Sequence, residues 1–402
     1  MLDVTEWIVV GAGAAGCVVA GRLAEHERHH VTLIEAGSGT VPESIRADSF
    51  FDALATPGRT FPGPFQRGRG IGGSAAVNGM IATAGDADEY SSWGWSDAPA
   101  AFTRIRVPTE PAHDDELGLL DRALLAAAPD AMPVPLTRRG GQRVTPADVY
   151  LHGVDDARLT LRSDAFVQAI ELDRRRAVGV RLDDGGVIEA DRVVVTAGAI
   201  GSPALLLRSG VDTHGIGAGL RNHPGLPLLV RLGTGVGRPI DGLVTATALR
   251  RGAIQVLPLN HLGPEAPGQA MLLVVLLTPS GAGHIAADTG TGKKIAVHHV
   301  LSPADHGRLA IGAADAQRLL EHPAFGLLVE DVRVGDVPAG VFHPTSTCAM
   351  GTVVDDDGAV HGYERLHVAD ASVFPTIPST NTYLPTLMLA ERLAARLSTL
   401  TA

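Results

Sequence analysis

The chain is poor in several residue types, and each shortage excludes something. Its 402 residues include two cysteines, Cys17 and Cys348. That is too few for a disulfide framework or a multi-cysteine zinc site, so each reads as a small buried residue. Lysine is almost missing, with only Lys293 and Lys294, and the basic side is nearly all arginine. High-GC coding accounts for that better than function does. Aromatic residues are 4% of the chain, and 33 basic against 44 acidic side chains leave a net charge of −11. A nucleic-acid binder needs a basic stripe and stacking rings, so that class is set aside. Long apolar runs are also lacking: the longest, Met271 to Leu277, is far short of the ~20 residues of a membrane helix. No positively charged stretch precedes the apolar Trp7–Val10, which runs into glycines as a strand and turn rather than a signal peptide. The expectation is a cytoplasmic protein without a membrane span.

Glycine is abundant instead: 48 residues, roughly 12% against a usual ~7%. The backbone must therefore turn tightly or approach something closely in many places. With 45% hydrophobic residues, the chain has material for a large core and two or three folding units.

The pattern opens with a buried strand, Trp7–Val10, then Gly11-Ala12-Gly13-Ala14-Ala15-Gly16, a small-residue helix to Ala24, and a second strand, Val31–Ile34, ending at Glu35-Ala36-Gly37. This is a βαβ opening with the spacing G-x-G-x-x-G. Gly11 permits the tight turn, Gly13 lets a pyrophosphate approach the backbone, and Gly16 lets helix and strand pack closely. The helix N-terminus offers amides and a positive dipole end to phosphates. Glu35 is placed to accept ribose hydroxyls and disfavours a 2′-phosphate, which leaves NAD and FAD. Strand patterns recur at Thr160–Arg162, Phe166–Leu172, Val178–Leu182 and Val193–Val195, the last leading into Thr196-Ala197-Gly198. Beyond Leu226 a series of β-like runs (Leu226–Leu232, Leu243–Leu249, Ile254–Leu259, Met271–Leu277, Ile295–Val300) reads as an antiparallel meander. The chain closes with an amphipathic helix from about Pro385 to Leu397.

Three further segments carry a resemblance. They are Arg69-Gly70-Ile71-Gly72-Gly73-Ser74-Ala75-Ala76-Val77-Asn78-Gly79-Met80; Gly198-Ala199-Ile200-Gly201-Ser202-Pro203 with the run on to Val211; and a C-terminal group. The last comprises Phe342-His343-Pro344-Thr345-Ser346-Thr347, Ala369-Asp370-Ala371 and Asn381-Thr382-Tyr383-Leu384-Pro385-Thr386. Together with the N-terminal turn they resemble the glucose–methanol–choline (GMC) family of FAD-dependent oxidoreductases, along nearly the whole chain.

The resemblance implies an α/β plus α+β fold: a discontinuous Rossmann-type FAD-binding domain (1–100, 150–225, 338–402) with an inserted, mostly antiparallel substrate-domain sheet (101–149, 226–337). It implies FAD along Gly72, Gly73, Ser74, Asn78 and Met80, adenine near Val167, and Asp370 with Ala371 at the ribityl–pyrophosphate region. Ala14, Ala36 and Ala197, beside the turn, the acid and the later strand end, complete the expected cofactor set. Near Val77, where some members attach FAD through histidine, this chain has none, so FAD is expected to be non-covalent. No metal is expected.

For chemistry the resemblance implies oxidation of an alcohol to a carbonyl, dehydrogenase favoured over oxidase. His343 is the expected base, since imidazole titrates close to working pH. Tyr383 or Asn381 would orient the substrate oxygen; a phenol, with a pKa near 10, is a poor base. Ser346 stands where the family has glycine. His223, in Arg221-Asn222-His223-Pro224, reads as structural, and His298 and His299 as solvated strand residues. Two other readings remain: an FAD-containing lyase of the hydroxynitrile type, or a flavin-binding protein with lost catalysis. The chain is short for the family, with the loss expected in the substrate-facing regions. That suggests an open pocket for a small or a large, peptide-derived alcohol, and the compact size resembles the GMC dehydrogenases linked to mycofactocin. The electron acceptor is left open.

Overall fold

The computed structural model describes residues 4–400 apart from 48, 64, 234–235, 237–242, 288–294 and 336–337; Lys293 and Lys294 lie outside the described residues. Strand β1 (Thr5–Val10) buries every side chain but Glu6, as a strand covered on both faces must. Helix α1 (Ala14–Ala24) follows, then β2 (His29–Ile34). Helix α2 (Leu119–Ala127) and β3 (Ala131–Pro133) precede β4 (Leu159–Arg162). Next come β5 (Val167–Asp173), β6 (Arg176–Leu182), β7 (Val187–Glu189), β8 (Arg192–Val195) and helix α3 (Gly198–Arg208).

The first sheet has the order β14–β8–β1–β2–β4, where β14 is Leu366–Val368 near the far end of the chain, and all its pairings are parallel. Val10 pairs with both Ile34 and Val195, and Val195 with Val368. Gly11, Glu35, Thr196 and Ala369 therefore leave the sheet side by side at its carboxyl edge, where open α/β sheets bind ligands. Strands β5, β6 and β7 form a separate antiparallel sheet.

The second large sheet is antiparallel and built mainly from the middle of the chain: β9 (Pro224–Leu232), β10 (Thr247–Arg251), β11 (Ile254–Leu259), β12 (Gln269–Leu276) and β13 (Val329–Val334). Its order is β13–β9–β12–β11–β10–β3, with Ala339–Gly340 paired to β9. Helix α4 (Pro303–Leu320) covers one face, and Leu309, Ala313, Ala316 and Leu320 share a core with Leu228, Leu272 and Val274. The closing helix α5 (Tyr383–Leu397) lies against α1.

Three sequence expectations shift here. The Ile295–Val300 run is not part of the meander; Ile295–His298 joins Gly283–Ala287 and Ala218–Leu220 in a small sheet of its own. The Leu243–Leu249 run becomes a strand only from Thr247; before it, the Val244 carbonyl accepts the Asn260 amide. Helix α4 lies where the sequence pattern assigns no element, although Ser302 and Asp305 form a capping box at its start; alanine and glycine dilute its apolar stripe.

Burial of histidine makes stability depend on pH. His367, on β14, is 4% exposed, and its Nδ1 has no hydrogen-bond partner. Burial holds its pKa down at about 4. In the unfolded chain the ring titrates near 6.5, so between those values the unfolded state binds more protons and stability falls as pH drops. For this one ring the full interval is worth about 3 kcal/mol. Chemical denaturation is expected to show a loss between pH 6.5 and 4 to which buried His223 and His343 also contribute, and His367→Gln to make it shallower by this ring's share; an unchanged slope in the variant would refute the assignment.

Candidate active site

A cavity of about 630 Å³ opens along the carboxyl edge of the parallel sheet, a size suited to a cofactor or drug-sized ligand. Among the expected cofactor residues, Gly11, Gly13, Ala14, Glu35, Ala36, Gly73, Ser74, Asn78, Met80, Val167, Ala197, Asp370 and Ala371 line it, as do His343, Asn381 and Tyr383. Gly16 and Gly72 stand behind the wall. A Cβ on Gly16 would lie 1.8 Å from the Gly11 carbonyl oxygen, and the Gly72 amide donates to the Ala12 carbonyl with φ at +87°.

The cradle is built from backbone. Gly13 caps α1 without a side-chain bond, and a Cβ there would meet nothing within 4 Å. The first-turn amides of a helix have no acceptor within it, so at α1 they face the cavity with the positive end of the dipole. A Cβ on Gly73 would come 2.6 Å from Gly13 Cα, so two glycine segments lie nearly in contact. Glu35 ties three segments together, accepting the amides of Ala12 (2.9 Å), Gly37 (2.9 Å) and Gly70 (2.8 Å). Asp370 is 2% exposed and accepts from Gly198 N, Ser202 Oγ and Ser372 N. Burial raises its pKa, and the bonds from Ser202, Ser372 and Gly198 oppose that shift. Arg143, on no sequence-based shortlist, is buried and donates to the Ile45 and Asn78 carbonyls and to Asn78 Oδ1. Arg59 similarly holds the Thr40 and Ile71 carbonyls. An arginine embedded in loop sequence gives no local sign of such a role.

His343 sits where the two sheet systems meet. Asn222 and His223, just before β9, hold it at two points. Asn222 Oδ1 accepts the His343 backbone amide at 2.7 Å, and His223 Nδ1 lies 2.9 Å from His343 Nδ1. Arg221 and Thr345 exchange backbone bonds alongside. Burial lowers the His343 pKa to about 4, so the ring is neutral at physiological pH. Ser346 has φ +69°, the left-handed conformation that glycine takes without strain, which explains why glycine would suit that position. His298 and His299 are outside the cavity lining.

Asn381 and Tyr383 face different surroundings. Asn381 Oδ1 accepts from Gln255 Nε2 of the antiparallel sheet at 3.3 Å and from Thr83, which leaves its amide N–H groups uncommitted. The loop carrying it also supplies the Pro378 carbonyl to His223. Tyr383, at the start of α5, has a buried hydroxyl that faces Thr137. Burial raises its pKa, and the neighbouring Arg143 and Thr137 oppose the shift. Cys17 is buried, its thiol pushed up to about 12, and Cys348 is buried too. Among the described residues no cluster of His, Cys, Asp or Glu is arranged to hold a metal, and no helix is long and apolar enough to cross a membrane.

Two family models described as GMC oxidoreductase match residues 131–225 and 279–390, and a NAD(P)-binding Rossmann-like domain model matches 9–64. An uncharacterised GMC-type oxidoreductase of Rhodococcus erythropolis is 30% identical, with 98% of each chain covered. That alignment spans 487 positions against a chain of 402, so at least 85 of them face gaps in this chain. An oxygen-dependent choline dehydrogenase of Photobacterium profundum is 25% identical over 97% of this chain and 92% of its own. Among solved structures, pyridoxine 4-oxidase from Mesorbium loti superposes with a TM-score of 0.86 at 22% identity, covering 99% of this chain and 100% of that one.

Proposed function

Since the chain belongs to the GMC oxidoreductase family, we propose that it is an FAD-dependent enzyme oxidising a CH–OH group to an aldehyde or ketone, with His343 as the base. The observation that carries this reading is a neutral histidine lining the same cavity as the glycine cradle, one ring nitrogen engaged by His223 and the other free. The cradle suits FAD: helix-terminal amides and closely apposed glycines for a pyrophosphate, and a carboxylate at Glu35 for ribose hydroxyls. When bound, FAD supplies the hydride acceptor, at its N5.

The chain's own residues do the rest. His343 Nε2 takes the hydroxyl proton as the carbinol carbon gives up its hydride, and the C–O bond becomes a carbonyl; the imidazolium then returns its proton to solvent. Asn381 donates an amide N–H to the substrate oxygen and stabilises the negative charge that develops there. We assign this role to Asn381 rather than Tyr383, because Gln255 and Thr83 occupy the Asn381 carbonyl oxygen and leave its N–H groups to donate. Tyr383, on the cavity wall beside Arg143 and Thr137, would pack against the cofactor. FAD would be held without a covalent bond, since residues 69–80 contain no histidine.

The test is an anaerobic absorbance titration of the flavin-loaded protein with primary and secondary alcohols, choline and pyridoxine among them. Bleaching of the flavin band by one alcohol class is the expected result, and reoxidation by dioxygen or by an added dye or quinone then identifies the acceptor type. A bound flavin that no alcohol bleaches, with cyanide and aldehyde released from a cyanohydrin, would replace the oxidoreductase reading with a lyase.

A further inference from the structure

His223 is completely buried (0% exposed), with every polar atom of its ring accounted for. Nε2 lies 3.0 Å from two backbone carbonyl oxygens: Leu277 O, at the end of β12, and Pro378 O, in the loop before α5. Nδ1 lies 2.9 Å from His343 Nδ1, the two rings meeting edge to face at 89°.

Carbonyl oxygens only accept hydrogen bonds. A bare Nε2 would set its lone pair against two oxygens at bonding distance, so Nε2 must carry a proton. A doubly protonated His223 would satisfy both sides, but a cation in this buried position is costly without a carboxylate partner, and burial and the neighbouring His343 both lower its pKa. The ring is therefore neutral with its one proton on Nε2, and its Nδ1 is an acceptor. The partner across the 2.9 Å contact must then donate.

We infer that His223 is a positioning residue that fixes the tautomer of His343: by accepting from His343 Nδ1–H, it keeps His343 Nε2 unprotonated and available to the substrate hydroxyl. In solution neutral imidazole exchanges between two tautomers, and only one leaves a lone pair at Nε2. The carbonyls of Leu277 and Pro378 thus set the proton position two rings away, one carbonyl following a strand of the antiparallel sheet and the other preceding the final helix. This device works only when both sheet systems are in place. The inference rests on the reading of His343 as the base, but the tautomer itself can be observed without turnover.

The experiment uses the flavin-loaded protein labelled with ¹⁵N-histidine, at a pH near 7. Long-range ¹H–¹⁵N correlation distinguishes protonated from bare ring nitrogens, and the His343 signals are assigned by their loss in His343→Gln. The expected result is a protonated Nδ1 and a bare Nε2 on His343, and the reverse on His223. In His223→Leu, which removes the acceptor, the His343 signals should move to the other tautomer or average between the two, and kcat should fall by about 10–100-fold, the usual scale for removing the partner that orients a histidine. In His223→Gln, whose amide can donate to the carbonyls and accept from His343, the native tautomer and most of kcat should return. A His343 carrying its proton on Nε2 in the unaltered protein would overturn the inference. So would a folded His223→Leu with unchanged His343 nitrogens and full kcat. If no alcohol is oxidised yet the nitrogens are as expected, the tautomer assignment stands and the function reading is what fails.

Discussion

Exchanging His343 for glutamine is expected to slow flavin reduction by alcohol about 10²–10⁴-fold, the range that general-base catalysis contributes, with FAD still bound. Glutamine keeps roughly the size of the ring and can still donate to His223 Nδ1, so the substitution removes the proton acceptor at Nε2 with little else. The backbone amide of residue 343 still donates to Asn222 Oδ1, whatever the side chain. In the unaltered enzyme kcat/KM should be flat through neutral pH and fall only on approaching the pKa of about 4 that burial imposes on His343. The sign follows from the base being active when neutral: acid removes activity and alkali does not. Rapid anaerobic mixing with the best alcohol, across pH, measures both effects. A His343→Gln enzyme within a few-fold of the original rate would reassign the base.

The second large effect concerns two glycines three residues apart that differ in what a methyl group would meet. Gly16→Ala drives a Cβ to 1.8 Å from Gly11 O and 2.7 Å from Thr196 Oγ1. Neither oxygen has room to retreat: Gly11 is in the tight turn with φ +103°, and Thr196 Oγ1 already bonds the Val10 and Gly11 carbonyls. Overpacking commonly costs about 1–3 kcal/mol, and a clash with fixed backbone lies at or above the top of that range. The expected result is a protein with a strongly lowered melting temperature that purifies without flavin. Gly13→Ala meets nothing within 4 Å, so its apoprotein should melt like the original. Its methyl group projects into the cavity where the phosphates would approach, and FAD affinity should fall at least tenfold. Thermal unfolding of the apoproteins and FAD titration separate the two outcomes. Equal stability losses at both positions would contradict the assignment of cradle and packing roles.

Much of the dinucleotide half was legible because its determinants are local. A buried strand, a glycine turn, a small-residue helix and an acid at the next strand end occupy fewer than forty consecutive residues, and each step follows from sterics or helix electrostatics. The middle of the chain was less transparent. Helix α4 turns a stripe of Leu309, Ala313, Ala316 and Leu320 to the core, and small residues carry little periodic signal. Strand partners were not readable either: Ile295–His298 looks like another meander strand but pairs with Gly283–Ala287 in a separate sheet.

The active site divides along the same line. The presence of a glycine cradle, the acid at Glu35 and a histidine at 343 could be read in sequence because each belongs to a short motif. Which partner addresses the substrate oxygen could not. Asn381 and Tyr383 are two residues apart, and only the contacts of Asn381 with Gln255 and Thr83 distinguish them. His223 reads as structural from its own segment, where nothing shows that a second imidazole arrives from 120 positions away. A proton's place on a ring depends on donors and acceptors gathered from distant parts of the chain, and the packing of the two sheets brings them together. The cofactor turn and the chemical groups at hand follow from local sequence; which nitrogen of His343 holds the proton follows from packing, because hydrogen-bond direction is set by neighbours in space.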